Sequence, residues 1–211
     1  PSYTLVNRLS RGGVKLNVTA IMTTEQVSSL DTTHIVALST QQVVALRTDH
    51  IAALQTSQIE KMETDDLAAL TSQQLRVLDS TQLLAITSAQ ITALRTSQLV
   101  TMKTDQINVL SSTQLNAMGT QQINNLTSAQ IAALTTAQVS NLTTTDIAAL
   151  TTATLAALTT EQISALETVD LKSLTTAQLS ALTTQQVNAL TIDQVIALDT
   201  NQMTALRTDQ L

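Results

Sequence analysis

An all-α solenoid of very short helices is the fold class this sequence predicts, and three observations predict it. The chain repeats every eight residues, without insertion or deletion, from Thr23 to Leu206. Two positions of each octad are large and aliphatic, three residues apart, which places them on one helix face but on opposite faces of a strand. A continuous helix is excluded, because eight residues at about 100° each overshoot two turns by about 80°, so the apolar stripe would wind round the cylinder. The helix must therefore break in every octad. The alternative is a β-solenoid, which the many Thr, Ile and Val residues favour. Against it stand the three-residue spacing and a chain with only three glycines and one proline for turns.

Residues 1–22 do not fit the octad. Gly12-Gly13 marks a turn, and Val14, Leu16 and Val18 alternate with polar residues as in a short strand. This segment is expected to cap or dock the array, since a solenoid needs its apolar end covered. Residues 23–211 form the repeat region, with 23 complete octads and a partial one.

Numbering each octad one to eight from Thr23, position five is always aliphatic or Met, and position eight is Leu except at Met62, Ile86, Met102 and Met118. Position two is Thr or Ser in all but the octad of Ile192. A hydroxyl so constant at a helix start reads as the N-cap, which assigns the caps to Thr136, Thr144 and Thr152 in the most regular stretch. Where position one is also Thr, the pair Thr135 and Gln138 has capping-box spacing and offers a second frame. Position four is Gln in 18 of 24 octads, with His34, His50, Asp66, Asp146, Thr154 and Asp170 as departures. A long side chain that both donates and accepts, at a fixed place, is suited to backbone groups left free at the helix breaks. Position seven is mostly Ala, which allows close approach, and positions one, three and six are expected to face solvent. Two buried aliphatics fall well short of the entropy cost of ordering eight residues, so each octad depends on its neighbours. At least two octads per coil are needed; two would stack octads i and i+2, and three is the competing number.

Composition narrows function. There is no Cys, hence no disulfide, thiolate metal site or cysteine nucleophile, and Tyr3 is the sole aromatic residue. Arg8, Arg11 and Lys15 lie before Thr23 in a stretch without acids, so the net charge of −6 for the chain becomes −9 for the array. That balance repels phosphate backbones and anionic lipid, which argues against nucleic-acid partners. No apolar run approaches membrane-span length. The chain opens at Pro1 without a leader, so an export signal is expected to have been removed or to lie outside it.

No catalytic, cofactor-binding or metal site is expected. His34 and His50 share position four, sixteen residues apart, and a two-octad coil would stack them, yet no third or fourth metal ligand accompanies them. A histidine replacing Gln in its hydrogen bonds is the simpler reading. Asp65 and Asp66 are adjacent and point apart, without the partners that acid-base chemistry needs. Asn17-Val18-Thr19 fits a glycosylation acceptor. Threonines at positions one and two could form a ladder that organises water or ice, binds polymer or carries sugar. Asn108, Asn116 and Asn124, all at position six, hint at a binding patch.

Three resemblances add to this. Gly13-Val14-Lys15-Leu16-Asn17-Val18-Thr19-Ala20-Ile21-Met22, with Thr23 to Val27, resembles a strand and turn of the transaldolase family, in which Asn17 would match a sugar-phosphate position. The rest of that barrel, including its Schiff-base lysine strand, has no counterpart. Leu134-Thr135-Thr136-Ala137-Gln138-Val139 resembles the opening helix of transcription-activator-like effector repeats, but the second helix, the glycine-lysine loop and the basic DNA-facing surface are absent. The octad as a whole, L-T-x-x-Q-(I/V)-x-A-L over residues 23–211, resembles tracts in very large bacterial secreted or cell-surface proteins. That likeness implies an extracellular or cell-surface structural element: a stalk, surface component or filament stacked head to tail. Self-association is then expected through Val14, Leu16 and Val18 at one end and Val195, Leu198, Met203, Leu206 and Leu211 at the other. A protein- or glycan-binding, adhesin-like module is the alternative.

Overall fold

The computed structural model describes residues 21–210. The strand expected at Val14 to Val18, together with Asn17 and Leu211, lies outside the described residues. Within them every complete octad forms one helix of four to six residues, from α1 (Thr24–Ser28) to α23 (Thr200–Ala205), and there is no strand. The all-α solenoid is thus observed, and the β-solenoid alternative is excluded for these residues.

The octad's local structure follows from a short list of bonds. In the octad that begins at Thr159, for example, the Ile163 N–H donates to the Thr159 carbonyl (3.0 Å) and the Leu166 N–H donates to the Ile163 carbonyl (3.2 Å). One helical turn is closed and the last residue tightens it, as at many helix ends. Position eight is commonly extended, as at Leu134 (φ −58°, ψ 141°), and position one always so where its angles are defined, as at Thr135 (φ −72°, ψ 156°). These extended residues make the corner between helices. No described residue has a positive φ, which explains how the array turns repeatedly with a single glycine, Gly119, among its octads.

The chain divides into two compact units, with the boundary between Val109 and Leu110. In the first, α6 (Thr64–Ala69) lies against α3 (Thr40–Val44) and α9 (Ser88–Ala93). In the second, α19 (Thr168–Ser173) lies against α16 (Thr144–Ala148) and α22 (Ile192–Ala197). Each helix therefore packs on the third helix before and after it. Glutamine bonds reach one octad further: the Gln58 amide donates to the carbonyls of Val27 (2.9 Å) and Leu30 (2.7 Å), four octads back. A coil thus closes over more than three octads and fewer than four. The two-octad coil is corrected by this, and three is closer but too small. The reason lies in the corner: two octads per coil would require chain reversal at each break, whereas successive extended residues with negative φ only deflect the chain.

The two aliphatic positions fill the interior of each unit. Position-five side chains such as Ile51, Leu67 and Ile107 in the first unit, and Ile147, Leu171 and Leu179 in the second, have no exposed surface. Position eight closes the core beside them, with Leu70 and Leu182 equally buried. Every octad from the fourth to the fifteenth also buries its position-four side chain, and that polar residue inside an aliphatic solenoid is the feature that sets the site.

Candidate functional site

A glutamine inside an aliphatic core must find partners for both halves of its amide, because each unpaired buried polar group costs about 1–3 kcal/mol. Gln162 finds them in two octads at once. Its Oε1 accepts the Thr159 backbone N–H of its own octad (2.7 Å), and its Nε2 donates to the carbonyls of Ile131 (2.9 Å) and Leu134 (2.6 Å) in the fourth octad back. The same clasp is made by Gln74, Gln82 and Gln90 in the first unit and by Gln186 and Gln194 in the second. It ties the start of one helix to the end of another a coil away.

This geometry also locates the caps. Because glutamine is the third residue of the helix in a capping box, the cap stands three residues before it, at position one. Thr136, Thr144 and Thr152 are therefore not caps, and that assignment is corrected: each is the first residue of its helix. The capping hydroxyls belong to Thr135, Thr143 and Thr151, which accept from the N–H groups of Gln138 (3.1 Å), Asp146 (3.2 Å) and Thr154 (3.1 Å). Position one nonetheless tolerates residues without a capping oxygen. The Gly119 and Arg95 N–H groups still donate to the glutamine Oε1 of their octads (2.9 and 2.8 Å), so half of the box survives. Asp79 makes a charged cap: it accepts from the Gln82 N–H and the Thr81 hydroxyl, and both bonds hold its carboxyl below the ordinary value. Replacing Thr135, Thr143 and Thr151 together by Ala is expected to cost about 3 kcal/mol, and Thr136 with Thr152 less than 1 kcal/mol, in urea denaturation. Equal losses from the two sets would put the cap elsewhere.

The six departures from glutamine show what the clasp demands. His50 has no exposed surface; its Nδ1 accepts from the Arg47 N–H (3.3 Å) and its Nε2 lies 2.8 Å from the Met22 carbonyl. A neutral ring protonated on Nε2 thus reproduces the glutamine's accepting and donating ends. His34 instead lies 2.7 Å from the Asp31 carboxylate. Since the coil is not two octads long, the two histidines occupy different settings. Among the described residues no group of three or more His, Cys, Asp or Glu side chains could hold a metal ion.

Thr154 is too short to reach the Thr151 N–H as glutamine does, and a residue from another octad completes the arrangement. Asn124 Oδ1 accepts from the Thr151 N–H (2.9 Å) and the Thr154 hydroxyl (3.0 Å), while its Nδ2 donates to the Ala149 carbonyl (3.0 Å). Asn116 likewise donates to the Asn141 carbonyl (2.9 Å). Two of the three position-six asparagines that suggested a binding patch are thus joined to backbone about one coil further on. The sequence singled out Asn124 but not its role beside Thr154, because the cue is paired: an amide at position six four octads before the sole position-four threonine. Asp170 is satisfied in a similar way by the Thr144 hydroxyl (2.7 Å).

Of the expected self-association residues, Leu198 and Leu206 are buried, Met203 is half-buried, and Val195 is 40% exposed; Val14, Leu16, Val18 and Leu211 lie outside the described residues. No described helix is long and apolar enough to cross a membrane.

Read across one corner, Ala133-Leu134-Thr135-Thr136-Ala137-Gln138 runs from the last buried leucine of one octad to the clasp glutamine of the next. The profile of the ALTTAQ repeat matches residues 19–56, 59–96, 113–144, 140–168 and 163–200. The chain belongs to the ALTTAQ repeat family. In structural terms the ALTTAQ string joins the core leucine, the cap and the amide that binds another coil. No curated protein matches the chain.

Proposed function

We propose that this ALTTAQ repeat protein is a structural scaffold, an extracellular stalk, surface element or filament that extends by stacking coil on coil. The observation that carries the reading is the clasp itself. The groups that join coils, a position-four amide and the carbonyls of positions five and eight, recur along the array, so a coil offers the same partner chemistry whether it belongs to its own chain or to a second copy. The resemblance of the octad to tracts of bacterial surface proteins supports a place outside the cell. Sedimentation velocity over a wide concentration range tests the stacking: mass is expected to grow with concentration, and a species that stays monomeric throughout would defeat head-to-tail assembly. The engagement of Asn116 and Asn124 with backbone weakens the rival reading of a glycan- or protein-binding patch built on those residues.

A further inference from the structure

Octad 6 inverts the chemistry of the clasp. Asp66 takes the place of glutamine there, only 3% exposed, and an ionised carboxylate accepts hydrogen bonds but donates none. Carried over to Asp66, the clasp register of Gln58, 28 and 31 residues back, designates the carbonyls of Leu38 and Ile35 as its counterparts, and these are acceptors too. The other buried carboxylate at this position, Asp170, has the Thr144 hydroxyl as donor; no hydrogen bond reaches the Asp66 carboxyl among the described residues. Its own helix worsens the setting, since Glu63 stands at the cap without making a side-chain cap bond and Asp65 follows.

We propose that octad 6 is an acid-closed clasp: protonated Asp66 donates to the carbonyls of octad 2, directly or through one water, and ionised Asp66 loosens this seam of the first unit. Burial, then repulsion from Glu63 and Asp65, raises the Asp66 pKa from 3.8 to about 6. Because the folded value is raised, the stabilising protonated form is fully present below the ordinary value and is lost as pH rises through about 6. The helices packed on α6 bring no competing charge, for neither α3 nor α9 contains a titratable residue. Octad 2 contributes Asp31 and His34, which pair with each other at 2.7 Å.

Hydrogen exchange of the full chain, corrected for intrinsic rates, tests this at about pH 5 and about pH 7.5. Peptides spanning 31–38 and 63–70 are expected to lose protection by about tenfold at the higher pH, while peptides within 127–142 do not. Asp66→Asn, neutral at both values, is expected to keep the protection that the natural chain has at pH 5. Asp66→Gln restores the residue found at most other positions four and is expected to remove the pH dependence as well. Unchanged protection in the natural chain would overturn the proposal. So would a pH dependence that persists in Asp66→Asn, since it would then belong to the Asp31–His34 pair or to Glu63 and Asp65.

Discussion

Replacing Gln162 with leucine is expected to lower the stability of the protein by about 3–5 kcal/mol, despite leucine's similar size and greater hydrophobicity. The loss comes from what is left behind. The Thr159 N–H and the outward lone pairs of the Ile131 and Leu134 carbonyls would all lose their partner inside a region where Gln162 itself is only 1% exposed. Gln162→Glu is expected to be at least as harmful, because a carboxylate cannot donate to those carbonyls and is buried among them. Urea denaturation of both variants reads the effect, and a loss under about 1 kcal/mol for the leucine variant would mean that the clasp is ornamental to stability.

Truncating Leu171 to alanine is expected to cost about 3 kcal/mol, the ordinary range for a wholly buried leucine whose surroundings collapse only in part. The distribution of that loss is more informative than its size. Leu171 lies on α19, which packs on α16 and α22, so protection against hydrogen exchange is expected to fall in those helices as well as its own. A second truncation at Ile147, on α16, should be non-additive with the first by about 0.5 kcal/mol or more. Strict additivity, with losses confined to residues 167–174, would contradict the view that an octad is held by octads a coil away.

Much of this was legible beforehand because it is written in period. A fixed eight-residue repeat with aliphatic residues three apart admits a short helix and forbids a continuous one, and the observed helices obey that arithmetic. The constancy of Gln at position four pointed to backbone satisfaction, as Gln74 and Gln162 demonstrate. The constancy of Thr at position two was the misleading cue. Cap chemistry is reciprocal, so the recurrent amide and not the still more constant hydroxyl marks the boundary; the half-box at Gly119 lets position one vary.

Local physics within one octad thus suffices to determine helix, break, core positions and the use of an amide for backbone groups left free at the break, since each depends on residues fewer than eight apart. The number of octads in a coil, the carbonyls that Gln58 meets, and the repair of Thr154 by Asn124 were decided only in three dimensions. The reason is geometric. A small change in the deflection at each extended corner alters which octad lies overhead, and no residue pattern of period eight distinguishes the third neighbour from the second.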